Sequence, residues 1–208
     1  EATALALASF GADVAICDNQ ADKLPAVQAA IEAHGRRCHA TELDVRDGPG
    51  VEEWLGAVRA QLGPIDIMVN NAGMESRTSV LDTSEHTYDT VMAVNLKSAF
   101  FGVQIAAKQM IAQGGGGVII NTSSVHEDWP MPGNAPYCLS KGGMRMLARN
   151  GGHAGRVGKH LGIDQLPLEL LETSQFLFQK FTHRRGPGSH VGCTFPNYGR
   201  SDGGSRRG

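Results

Sequence analysis

Short apolar runs alternate along this chain with stretches of helical spacing, and that alternation leaves few folds open. Asp13 to Cys17, Arg37 to Leu43, Ile65 to Val69 and Val118 to Ile120 read as strands. Glu1 to Phe10 has the composition of a helix, and Leu24 to His34, Val51 to Leu62 and Ser84 to Ala112 follow with helical patterning. Gly11, Gly35 and the Gly63-Pro64 pair are their stops. A helix between successive strands returns the chain to the same end of the sheet, so the strands run parallel and are covered on both faces. The pattern therefore predicts an α/β fold with a doubly wound parallel sheet.

The chemistry of the chain is concentrated in VIINTSSVHEDWPMPGNAPYCLSK, Val118 to Lys141. The strand ends in Asn121-Thr122-Ser123-Ser124, a loop broken by Pro130, Pro132 and Gly133 follows, and a helix runs from about Ala135 to Asn150 with Pro136 in its first turn. Tyr137 and Lys141 lie four residues apart, which places them on one helical face. Ser124 precedes Tyr137 by thirteen residues, at the carboxyl end of the strand, where open α/β sheets place their ligand crevice. A free phenol titrates near pH 10, and a neighbouring cation favours its ionised form, so a lysine beside a tyrosine suits proton transfer at neutral pH. A serine hydroxyl at the same point can hold a substrate oxygen as charge develops on it.

This stretch, together with VNNAG at Val69 to Gly73 and VNL around Asn95, resembles the short-chain dehydrogenase/reductase family over roughly residues 1–150. The resemblance implies a Rossmann-like fold and a hydride exchanged between a nicotinamide cofactor and a hydroxyl or carbonyl substrate. It implies that Tyr137 takes the substrate proton, that Lys141 tunes Tyr137 and holds the nicotinamide ribose, that Ser124 positions the oxygen, and that Asn95 supports a water-linked proton path to Lys141. A mid-helix asparagine that simply faces solvent is the alternative for Asn95. The family's first strand and glycine-rich turn have no counterpart before the opening helix, so the pattern reads as truncated at the N-terminus. That strand would lie at the centre of the sheet, between those at 13–17 and 65–69.

The cofactor side follows from the same resemblance. Asp18, at the end of its strand, would bind the adenosine ribose and repel a 2′-phosphate, which favours NAD while leaving NADP possible. It equally suits a cap for the helix near Ala21. Asp44 and Val45 would border the adenine, or form a capped strand end. Asn71, Ala72 and Gly73 would border the cofactor, with Asn70 structural, although small residues and asparagines also make plain strand-end turns. NAGMES and SSVHEDWP further resemble the sugar-oxidising branch, the glucose 1-dehydrogenases, in which the positions of Glu75 and His126 line the sugar pocket. As bare sequence, both are also ordinary solvent-facing loop residues.

Composition closes off other classes. An apolar fraction of 41% in 208 residues supports one α/β core, and a net charge of −2 argues against a general nucleic-acid binder. Cys17, Cys38, Cys138 and Cys193 lack metal-ligand spacing, so no metal site is expected and a reduced, cytoplasmic protein is the plain reading. No apolar run approaches the roughly eighteen residues of a membrane span. Long helices at Ser84–Ala112 and Pro136–Asn150 suit a homodimer or homotetramer, as the family commonly forms.

Beyond residue 150 the character changes. Residues 151–208 carry eight basic against four acidic residues, a balance of +4, where residues 1–150 have eleven against seventeen, or −6. Residues 1–150 read as the dinucleotide-binding and catalytic core, and 151–208 as an atypical basic, glycine-rich tail, partly disordered. In it no further family strand is recognisable, and only Leu166 to Phe181 is apolar enough for a helix. Its scattered charges without repeated aromatic-basic units suit a solvated tail better than a nucleic-acid binder. A catalytically inactive scaffold that keeps the family core for self-association is the alternative to an enzyme.

Overall fold

The alternation becomes parallel strands and covering helices in the computed structural model, which describes residues 1–154 and 161–167. Helix α1 (Ala2–Ser9) ends at Gly11, whose φ of +91° glycine adopts freely, and leads into β1 (Val14–Asp18). Helix α2 (Leu24–Glu32) returns the chain to β2 (Cys38–Glu42), which pairs with β1 in parallel from Val14↔Cys38 to Asp18↔Glu42. Helix α3 (Gly48–Leu62) starts before the apolar pattern does, because the Asp47 carboxylate accepts the Gly50 N–H and caps it. Strand β3 (Ile67–Asn70) follows.

A second sheet has the order β3-β4-β5, with β4 spanning Gly117–Ser123 and β5 Leu161–Pro167. Its registers are parallel, Ile67↔Val118 and Gly117↔Leu161 among them. Among the described strands β1 pairs only with β2, so the sheet is interrupted between β1 and β3, where the family resemblance places a central strand. All four residues of β3 are only half-buried. Arg37 bridges the interruption: it binds the Asp13 carboxylate at the start of β1 and donates to the carbonyls of Gln61 and Leu62 at the end of α3.

Two sequence expectations are corrected here. A further strand does exist beyond residue 150, and Leu166 and Pro167 belong to it rather than to a helix. Gly162, Asp164 and Gln165 break the apolar run expected of a buried parallel strand, and pairing along the open edge of β4 makes this segment extended instead. The rest of the expected helix to Phe181, and the tail character assigned to residues 155–160 and 168–208, fall outside the described residues. Gly117, read as part of a loop, is the first residue of β4, while Gly114 and Gly116 make the turn before it at φ +79° and +70°.

The long helix is continuous but not uniform: α4 (Glu85–Met92) passes through a π-type turn at Ala93–Lys97 into α5 (Ser98–Ala112). By length and composition Glu85–Ala112 could cross a membrane, contrary to the sequence expectation. Its apolar face is instead used internally. Val103, Ile105, Ala106 and Met110 pack with Val51, Leu55 and Val58 of α3, Ile65 and Ile119 of β4 in the main core. Burial of each Val, Leu, Ile or Met side chain among them contributes about 1.5–3 kcal/mol. A smaller cluster, Ala8, Val14 and Ile31, holds α1 and α2 to β1.

Gly102 sets how closely α5 approaches β3. A Cβ there would run into Asn70 Oδ1, and Asn70 Nδ2 donates to Asn121 Oδ1 at 2.8 Å, tying β3 to β4. Gly102→Val is therefore expected to lower unfolding stability by about 1–3 kcal/mol, read from urea denaturation. An unchanged midpoint would show that Asn70 turns aside without loss.

Candidate active site

The carboxyl end of β4 and the first turns of α6 (Ala135–Ala154) build the site. Lys141 is only 3% exposed, and its ammonium donates to Thr122 O at 2.7 Å. Nζ also lies 5.6 Å from the centroid of the Tyr137 ring, on the helical face that the four-residue spacing predicts. Burial lowers the Lys141 pKa from its ordinary value, and the Glu127 carboxylate partly opposes that shift. An ammonium has three donors, so Lys141 retains two beyond the Thr122 bond.

Strand alternation separates the two serines. Ser123 turns to the Glu127 carboxylate, its hydroxyl donating at 2.5 Å, whereas Ser124 is buried and its Oγ accepts from the His126 N–H at 3.2 Å. Ser124 thus keeps its hydroxyl hydrogen for a ligand, with no acceptor for it recorded among the described residues. The His126 ring meets the half-buried Tyr137 ring edge-on, 6.3 Å between centroids, and its Nδ1 lies 3.0 Å from Trp129 O. The short turn Val125–Glu127 thus links Ser124 to His126, whose ring meets that of Tyr137.

Asn95 is wholly buried and sits in the π-type turn, a local geometry often found at functional sites. Its Oδ1 accepts from the Met74 N–H at 2.8 Å, and Nδ2 donates to Met74 O and Ser140 Oγ, both at 2.9 Å. It faces the site rather than solvent. A Cβ added at Gly73 would lie 3.6 Å from Asn95 Oδ1 and 3.7 Å from Lys141 Nζ, so the exposed Gly73 backbone passes directly over both.

The other sequence candidates divide. Asn71 and Ala72 are exposed beside Gly73, and Asn71 Oδ1 accepts from Thr122 Oγ1 at 3.3 Å. Asp18 is exposed at the end of β1 and also accepts the Gln20 N–H at 2.9 Å, so it takes part in a turn while facing solvent. The Asp44 carboxylate is held by Arg46 through its backbone and guanidinium, which lowers the Asp44 pKa, and Val45 is half-buried next to it. Glu75 pairs with Arg77 at 3.2 Å on an exposed segment. Sequence reasoning passed over Glu127, Thr122 and Asn134. The first two act through a second-layer carboxylate and a backbone carbonyl, for which short motifs carry no signal, and Asn134 could have been suspected from its place just before α6.

The short chain dehydrogenase family matches over residues 1–156. This chain belongs to that family.

Among relatives of this chain is gluconate 5-dehydrogenase of Gluconobacter oxydans, 35% identical over 154 residues, which are 74% of this chain and 59% of the relative. A crystal structure of a gluconate 5-dehydrogenase from Burkholderia cenocepacia, in complex with NADP and tartrate, superposes with a TM-score of 0.73 at 31% identity, covering 80% of this chain and 64% of that one. NAD+-bound xylitol dehydrogenase gives 0.76 at 27%, covering 80% and 64%. The chain spans less than two thirds of the length of these proteins. Cys17, Cys38 and Cys138 are free thiols, and burial pushes Cys17 up to about 11, so it is a poor nucleophile at neutral pH; Cys193 falls outside the described residues.

The buried Lys141 makes stability depend on pH. Its pKa is lowered in the folded state, so between that value and the ordinary one near 10.4 the unfolded chain binds more protons, and stability rises with pH. Relative to Lys141→Met, the wild-type melting temperature is expected to climb as pH is raised from 7 to about 10.4. A gap constant with pH would show that the folded lysine titrates as it does in water.

Proposed function

We propose that this chain is the core of an NAD(P)-linked oxidoreductase that moves a hydride between nicotinamide and a hydroxyl or carbonyl carbon of a polyhydroxylated substrate, a sugar or sugar acid with glucose among the candidates. The observation that carries this reading is the unspent donor capacity at the end of β4: a buried hydroxyl on Ser124, next to the turn whose His126 ring meets Tyr137, and a buried ammonium on Lys141 near the Tyr137 ring. Buried polar groups are normally satisfied, and two such groups in one place suit a ligand that completes them.

The residues fit a dinucleotide. Lys141 has donors for ribose hydroxyls next to the exposed Gly73 backbone, Asn71 and Ala72 continue that surface, and Asp18 is free to face an adenosine ribose. Asp18 favours NAD over NADP, since a carboxylate repels a 2′-phosphate. Asp44 is already engaged by Arg46, so Val45 is the better adenine neighbour of that pair. The bound nicotinamide accepts or supplies the hydride. During oxidation Ser124 holds the substrate oxygen, Tyr137, in its phenolate form beside the Lys141 ammonium, takes the substrate proton and becomes the neutral phenol, and Asn95 holds the Met74 backbone that frames the site. Glu75 and His126 are the polar groups for further substrate hydroxyls. Exposed Phe100 on α5, with Leu139 and Met146 on α6, suits assembly into a homodimer or homotetramer.

Nucleotide titration calorimetry with NAD+ and NADP+ tests the first half of the reading, and initial rates with gluconate, glucose, xylitol and 2-butanol test the second. Binding of neither nucleotide by the full-length protein would favour the scaffold alternative. Turnover of 2-butanol with the polyols ignored would remove the sugar assignment and leave the dehydrogenase.

A further inference from the structure

The segment Met74–Thr78 has no regular secondary structure, yet buried side chains hold it on both sides of Glu75. Upstream, Asn95 takes both polar groups of the Met74 backbone, N–H at 2.8 Å and carbonyl at 2.9 Å. Downstream, Asn134 is 1% exposed and directs its amide oxygen at three donors: Ser76 N–H at 2.9 Å, Ser76 hydroxyl at 2.7 Å and Arg77 N–H at 3.2 Å. Ala135 N–H adds a bond to Thr78 O at 3.3 Å. Arg77 has φ +51°, a left-handed conformation that a residue with a Cβ keeps only where its surroundings hold it.

Both anchors are tied to the turn that carries Tyr137. Asn134 lies three residues before Tyr137, immediately ahead of α6, and its carbonyl accepts the Cys138 N–H. Asn95 reaches the same helix through Ser140, whose hydroxyl donates to Tyr137 O at 2.6 Å. Glu75 is the residue between the two clamped points, and its side chain is exposed. We propose that Asn134 is a positioning residue for substrate specificity, fixing Glu75 relative to Tyr137 so that its carboxylate can accept hydrogen bonds from substrate hydroxyls.

The inference rests on the polyol reading of Glu75. Its chemistry is that a carboxylate held in place selects hydroxylated ligands better than a mobile one, since a loop free to move must lose conformational freedom on binding, at a cost in affinity. Asn134→Leu keeps the volume and removes the acceptor. Ser76→Ala removes one of its three donors and leaves the start of α6 unchanged.

Steady-state kinetics of the full-length protein with NAD(P)+ and its best polyol are the test, with Glu75→Ala as the reference variant. Asn134→Leu is expected to raise the polyol KM about ten-fold and Ser76→Ala about three-fold, with kcat changed less than about three-fold and nucleotide affinity unchanged. Neither substitution should raise KM further in a Glu75→Ala background. If Glu75→Ala raises KM while both clamp variants leave it unchanged, or if their effects add to it, the clamp is overturned and the polyol reading stands. If Glu75→Ala leaves KM unchanged, the substrate role of Glu75 is overturned and the clamp loses its purpose. Should Asn134→Leu fail to fold, Ser76→Ala decides alone: an unchanged KM overturns the clamp and a raised, Glu75-dependent KM supports it.

Discussion

Tyr137→Phe is expected to lower kcat by about 10²–10⁴-fold, the usual contribution of a positioned acid or base, while nucleotide affinity changes little. The ring stays, so its edge contact with His126 and its place by Lys141 survive, and only the proton acceptor is removed. Single-turnover absorbance of reduced nicotinamide, with calorimetric nucleotide binding in parallel, separates the two quantities. Turnover within a few-fold of wild type would rule out the phenol as the proton-transfer group and move that role to another side chain at the site.

Lys141→Met is expected to cost about 10²-fold or more in kcat/KM and, unlike the tyrosine variant, to weaken nucleotide binding roughly ten-fold. Two separate interactions are lost. At 5.6 Å from the Tyr137 ring centroid, a unit charge interacts with the charge of a Tyr137 phenolate by on the order of 3 kcal/mol at an effective dielectric of about 20. The donors left over from Thr122 O are those available to the cofactor. Equal losses in the two variants, with binding intact in both, would show that Lys141 acts only on Tyr137 and not on the dinucleotide.

The fold was largely legible because its signals are local. β1, β3 and the first half of β4 are short apolar runs, α3 has a capping aspartate, and α6 has a proline in its first turn. β5 was illegible because Leu161–Pro167 has no apolar periodicity and is extended by pairing with β4, a contact remote in sequence. The π-type turn under Asn95 was equally hidden, since a continuous helical pattern does not show where one residue is inserted into it.

The site divides along the same line. The Tyr137–Lys141 spacing determined by itself that the two side chains share a helical face, because 3.6 residues per turn is a property of the backbone. Ser124's interval from Tyr137 singled it out, but only the tertiary structure showed Ser123 drawn to Glu127 and Ser124 left with a free hydroxyl hydrogen. The same holds for Asp44, whose carboxylate is taken by Arg46, and for Asn134, which holds a segment some sixty residues earlier in the chain. Periodicity and spacing are written into consecutive residues, whereas the partner of a polar side chain is set by which surfaces the core brings together. In this chain the sequence singled out the candidate residues, and only the tertiary packing decided which partner each polar side chain meets.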